Sequence, residues 1–143
     1  MRGLRAVAAS CVLMTWGCGG PLRFKTRGAS AVTGADAEIT AKLEPEQAIT
    51  RLDVKAVNLA PPGRVLSGTT HYVVWERGGS GDTWRRVGAL DYDEGSRTGS
   101  LNGVTVPQLD FELQITPEDR VAPNAPSGAP VFTQMVSKDA ARP

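Results

Sequence analysis

One histidine, His71, serves the whole chain, so any serine–histidine–acid arrangement or histidine-bound metal must pass through it. A single imidazole cannot build a multi-histidine metal centre. Its surroundings, Thr70-His71-Tyr72-Val73-Val74-Trp75-Glu76, place it in a strand on the same face as Val73 and Trp75, where it reads as a packed or edge-lying structural group. Gly78-Gly79-Ser80-Gly81 offers a hydroxyl among glycines. It fits neither G-x-S-x-G nor G-x-x-x-x-G-K-[ST], and no helix follows to bind phosphate, so it reads as a hairpin turn. Asp91-Tyr92-Asp93-Glu94-Gly95-Ser96 is the densest acidic stretch, and a hard cation needs clustered oxygens. An EF-hand register would require Glu at its twelfth position, where Asn102 stands, so the stretch reads as a solvated turn between strands. Asp110, Glu112 and Gln114 share one strand face, as do Glu38, Thr40 and Lys42. Acid–base work would require a pocket that perturbs these groups, and both rows read as the solvent face. The pattern therefore predicts no catalytic residue, no metal ligand and no cofactor. A small secreted hydrolase running through His71 is the remaining enzymatic alternative.

The other reactive side chains are Cys11 and Cys18, both inside MRGLRAVAASCVLMTWGCGG. Arg2 and Arg5 make a basic start, Ala6 to Trp16 an apolar run, and Gly17 places a small residue before Cys18. The run is too short to span a bilayer, which takes about 20 apolar residues. Thr15-Trp16-Gly17-Cys18 resembles a bacterial lipobox, although Thr15 stands where that pattern usually has Leu. The resemblance implies a signal peptide over residues 1–17 and acylation of Cys18, with attachment to a membrane through the lipid. Gly19, in place of the Asp associated with inner-membrane retention, implies an outer-membrane location facing the periplasm. The rival reading is ordinary secretion with cleavage after Gly19. Either way the mature domain has no free thiol, so it must be held together by packing.

Loss of Arg2 and Arg5 leaves 14 basic against 15 acidic side chains, a formal charge of −1. Such a balance, with no basic stripe, argues against nucleic acid as a partner. Residues 18–36, rich in Gly, Ala, Ser and Thr, read as a flexible tether, and residues 137–143 as a disordered tail. Between them, residues 37–136 are enough for one domain.

Leu109 to Thr116 alternates large apolar with polar residues, as a half-buried strand does. Ala37 to Leu43 and Leu52 to Ala56 repeat the pattern around Glu44-Pro45-Glu46. Thr70 to Glu76 is β-branched and aromatic on both faces, which suits a central strand with Trp75 as its core anchor. Thr83 to Leu90, Thr98 to Val106 interrupted by Gly103, and Val131 to Val136 after a Pro-rich loop complete the set. About seven short strands without an amphipathic helix predict an all-β antiparallel sandwich, immunoglobulin-like or fibronectin-like. A small barrel is the structural alternative.

From Leu59 onward the order of features resembles the extracytoplasmic C-terminal domain of anti-sigma-K factors. The stretches that carry it are Leu59-Ala60-Pro61-Pro62-Gly63, Tyr72-Val73-Val74-Trp75, Val87-Gly88-Ala89-Leu90, Phe111 to Thr116 with Pro117-Glu118, and Pro126-Ser127-Gly128-Ala129-Pro130-Val131. The resemblance implies a β fold and a sensory or regulatory role in the cell envelope. It does not bring sigma-factor binding, because the helical segment and the transmembrane helix of that family have no counterpart here. The residues taken alone fit a non-catalytic envelope domain that binds a protein, glycan or small ligand. Loops at the ends of a sandwich commonly carry recognition. Those to inspect are Pro61 to Thr69, Gly78 to Asp82 and Glu118 to Ala129.

Overall fold

The computed structural model describes residues 19–142. The proposed leader with Cys11 and Cys18 lies outside the described residues, as does Pro143. Nine strands form: β1 Leu22–Arg27, β2 Asp36–Glu44, β3 Ile49–Val57, β4 His71–Arg77, β5 Arg85–Ala89, β6 Asp91–Asp93, β7 Thr98–Val106, β8 Phe111–Glu118 and β9 Phe132–Val136. They make two antiparallel sheets, one in the order β1-β2-β3-β7-β6 and one in the order β5-β4-β8-β9. The protein is an all-β sandwich. Leu90 alone separates β5 from β6, so the chain changes sheets there within one residue.

Alternation along each strand sends every second side chain inward. Ile39, Ala41, Leu52, Val54 and Ala56 from the first sheet meet Tyr72, Val74, Leu113, Ile115 and Phe132 from the second. Alanines on β2 and β3 leave room for the aromatic side chains opposite. One irregularity is tied to a glycine. Between Leu52 and Val54 of β3 the register slips, because Asn102 and Gly103 of β7 lie opposite the single residue Asp53. Gly103 adopts φ +67°, the left-handed conformation that favours glycine at a bulge. Its N–H donates to the Asp53 carboxylate at 2.8 Å.

Residues 18–36 are not a flexible tether throughout. From Leu22 they form β1, which pairs with β2 from Leu22↔Ala41 to Arg27↔Asp36. Leu22, Phe24 and Thr26 face inward and alternate with Arg23, Lys25 and Arg27, a period-2 signal hidden by the small residues around it. Phe24, Val32 and Ala35 are buried in the core, and the Thr26 hydroxyl donates to the Thr133 carbonyl across the sandwich edge. The sandwich therefore begins at Leu22 rather than residue 37. Residues 137–142 form a turn in which Ser137 Oγ accepts from the Ala140 N–H and Ala141 packs against the core. The acidic stretch contributes β6 before it turns, which, with β1, accounts for nine strands instead of seven.

Two further expectations fail at β4 and β8. Trp75 is fully buried but is no anchor between the sheets. Tyr72 and Val74 point into that core, and Trp75, one residue out of phase, points to the outer face of the second sheet. Gln114, expected in solvent, is also buried. The layer responsible is the segment 119–131, which returns over this outer face.

The strand order fixes which connections share an end. Segments 28–35, 58–70, 94–97 and 119–131 lie at one end, the loop end. The turns 45–48, 78–84 and 107–110, the segment 137–142 and the start of β1 lie at the other, the turn end. If β1 is structural, Phe24→Ala destabilises the protein by about 3–5 kcal/mol, the range for truncating a buried Phe. An unchanged urea midpoint would restore the tether reading.

Candidate functional site

Two of the three loops singled out in the sequence meet. Residues 61–69 lead into β4 and residues 118–129 leave β8, and β4 pairs with β8 through His71↔Glu118. The third, residues 78–82, follows the far end of β4 and lies at the turn end.

The meeting place is built on Glu118, which is fully buried. The Trp75 indole N–H donates to Thr116 Oγ1 at 2.8 Å, and the Thr116 hydroxyl donates to Glu118 Oε1 at 2.6 Å. From the returning loop, the Ser127 N–H donates to Oε1 at 3.0 Å and the Ser127 hydroxyl donates to Oε2. The Thr116 hydroxyl and both Ser127 donors point at the carboxyl oxygens, and the Trp75 N–H reaches them through Thr116. On the other side of β4, Arg86 of β5 donates to the Pro123 carbonyl at 2.9 Å. The loop is thus fastened to β8 through Ser127 and to β5 through Pro123, and it bridges β4 and encloses Trp75 between the two fastenings.

The second loop is held by two phenols. Tyr72 and Tyr92 donate to the Ala60 and Leu59 carbonyls, each at 2.6 Å, and their rings meet edge to face at 5.7 Å. Burial pushes both phenols above the usual tyrosine value, and for Tyr72 the neighbouring Tyr92 adds to the effect. Pro61 precedes a single helical turn, Pro62–Val65. Leu66 follows it and lies against Gly128, where a Cβ would come within 3.0 Å of its side chain. The two loops therefore form one surface. On it Leu66 is 40% and Val121 56% exposed, two of three large apolar side chains exposed among the described residues. Beside them a hollow of about 270 Å³ is lined by Glu118, Asp119, Arg120, Pro123, Asn124 and Ser127. Arg120 forks onto Asp119 and holds that carboxyl below its ordinary range.

The remaining candidates are dispersed. His71 is half-buried, with Nδ1 2.8 Å from Thr70 Oγ1. The Thr70 hydroxyl also lies 3.1 Å from the Asp119 carbonyl. The Ser127 hydroxyl donates to Glu118. Ser80 lies in a turn closed by Arg77, which donates to the Ser80 carbonyl, pairs with Glu112 and covers the Trp84 ring at 4.3 Å. The side chain of Ser96 and then its N–H, which donates to Asp93 at 2.9 Å, hold the Asp93 carboxyl low as well. Among the described residues no three Asp, Glu, His or Cys side chains converge as metal ligands would. A larger hollow of about 560 Å³ lies over the outer face of the first sheet, between Lys25, Glu38 and Lys55. These are neighbours in a regular ladder of alternating charge, a solvated face rather than a built site.

Thr116, Glu118 and Ser127 were not assigned a joint role from the sequence. Their one signal was the length of the β8–β9 connection, 13 residues between paired strands, far more than a hairpin requires. No protein-family model, curated protein or solved structure matches this chain.

Two measurements check this arrangement. Thr116→Val leaves the buried Trp75 N–H without an acceptor and removes one donor from Glu118. It should lower stability by about 1–3 kcal/mol, and a neutral result would break the chain of bonds. For Tyr72 the sign follows from burial. Above pH 10, its ordinary value, the folded chain retains a proton that the unfolded chain loses, so stability is full below pH 10 and falls above it. In an ultraviolet titration Tyr72 ionises together with loss of the strand signal. Ionisation near pH 10 with the fold intact would contradict its burial.

Proposed function

We propose that this chain is a lipid-anchored cell-envelope domain, attached through Cys18, that binds a protein or glycan through the surface formed by residues 61–69 and 119–130. The observation that carries the binding reading is the fixed loop pair at one end. Glu118 and the two phenols hold both loops from beneath, while Leu66 and Val121 stay in solvent. A surface ordered before its partner arrives avoids the entropy cost of ordering it on contact. Contiguous exposed apolar surface rimmed by polar groups is a common mark of an interaction site.

A non-catalytic role is the consistent choice. The lone imidazole is engaged by its neighbour Thr70, and the Ser127 hydroxyl is engaged by a carboxylate. The anti-sigma-K resemblance supports a sensory version of the same role, because its stretches include both loops of the binding surface. A partner captured there would then act on envelope signalling.

The test uses the full chain in its own envelope. Palmitate labelling should depend on Cys18 and vanish in Cys18→Ala. Cross-linking should recover a specific partner with the parent chain and lose it with Leu66→Asp/Val121→Asp, while the melting temperature stays close to the parent value, as for surface substitutions. Labelling that survives Cys18→Ala overturns the anchor. A partner retained by the double variant, or no specific partner at all, overturns the binding surface.

A further inference from the structure

We infer that the domain stands end-on on a lipid surface, with the turn end against the headgroups and the joined loops 61–69 and 119–130 pointing away from the bilayer. This orientation rests on the proposed lipid at Cys18, and it adds a membrane-contacting surface that the binding role does not require.

The first observation is the length of the link. β1 starts at Leu22, so only Gly19, Gly20 and Pro21 separate it from Cys18. Fully extended, that link reaches about 14 Å at roughly 3.3–3.6 Å per residue. The nine residues of β2 extend about 30 Å at roughly 3.4 Å each. The anchor therefore cannot reach past the middle of the sandwich, and the end where β1 begins is the end brought to the bilayer.

The second observation is where that link enters. Leu22 pairs with Ala41 near the end of β2, beside the turn Pro45–Gln47. The turn 78–84 and the segment 137–142 belong to the same end, because β4 and β9 both finish there.

The third observation is what this end presents. Trp84 is half-buried and its ring is covered by the Arg77 guanidinium. Lys138 and Arg142 follow β9 on the same end, where Arg142 lies 3.7 Å from Asp139 and the turns also carry Glu46, Asp82 and Asp110. An indole with an apolar body and a polar edge is suited to the headgroup region, and long basic side chains reach phosphates while their stems stay in apolar surroundings. The loop end places its exposed Leu66 and Val121 at the far side, where an end-on domain leaves them free for a partner.

The rival orientation lays the outer face of the first sheet on the membrane through Arg23, Lys25 and Arg27. That face also carries Lys42, Arg51 and Lys55, and its six cations are interleaved in the strand register with Asp36, Glu38, Glu44, Asp53, Asp91 and Asp93, which weakens any attraction of that face to an anionic surface.

The experiment uses the full chain purified with its N-terminal modification and inserted in phosphatidylethanolamine/phosphatidylglycerol vesicles. Single cysteines are introduced as Ser80→Cys at the turn end, Asn124→Cys at the loop end and Lys25→Cys on the sheet face, three exposed positions. Each is labelled with a fluorophore and quenched by headgroup spin-labelled lipid. The mass of the N-terminal peptide is read on the same sample. The expected result is an acylated Cys18 with quenching several-fold stronger at position 80 than at positions 25 and 124. Acylated protein with position 25 or 124 quenched as strongly as position 80, or with no position quenched, overturns the orientation alone. An unmodified Cys18 overturns the anchor, and the orientation with it.

Discussion

Glu118 is a fully buried carboxyl group that forms no salt bridge among the described residues. Burying such a group is expensive unless its acceptor capacity is met, and the fold meets it with Thr116 from its own strand and with the Ser127 N–H and hydroxyl from the returning loop. The consequence runs in both directions. The carboxylate is tolerable only while the loop is in place, and the loop is in place because it completes the carboxylate. Trp75 shares this dependence, since its indole N–H ends on the same Thr116. The second sheet therefore has two buried faces, one against the first sheet and one beneath its own loop.

That constraint explains what the sequence revealed and what it concealed. Strands with one wet face were legible: β2 and β3 alternate strictly, and their outward residues are charged. The mixed character of Thr70 to Glu76 correctly indicated burial on both faces, but not which partner would cover which face, so Trp75 was assigned to the wrong layer. In β8 the polar residues Gln114, Thr116 and Glu118 follow the same alternation as a solvated face. Only the tertiary course of residues 119–131 turns that face into an interior, and no local pattern encodes it. β1 was missed for a different reason. Six residues flanked by Gly, Ala and Ser carry too short a period to stand out, and the strand is secured by pairing with β2 and by burial of Phe24.

The two ends of the sandwich differ in kind. At the turn end the connections are short and close on themselves, as Arg77 does over Trp84 and Ser80. At the loop end two 13-residue connections, 58–70 and 119–131, are interlocked, with Tyr72 and Tyr92 gripping consecutive carbonyls and Gly128 admitting Leu66. Legibility differed in the same way. The loops themselves were found from composition, whereas their convergence depended on the pairing of β4 with β8, which places residues 61–69 beside residues 118–129 and sends residues 78–82 to the far end. A binding role needs such a preformed surface more than it needs any particular motif, and an anchor entering at the opposite end leaves that surface unobstructed.

The central claim is that the 119–130 loop is a fixed layer of the fold and not a mobile connection. Amide hydrogen exchange at Ser127 tests it most directly, because that N–H is held only if Glu118 fastens the loop. The account predicts protection at Ser127 comparable to that of the β4 and β8 amides. Exchange at the rate of an open chain, with those strands still protected, would contradict it.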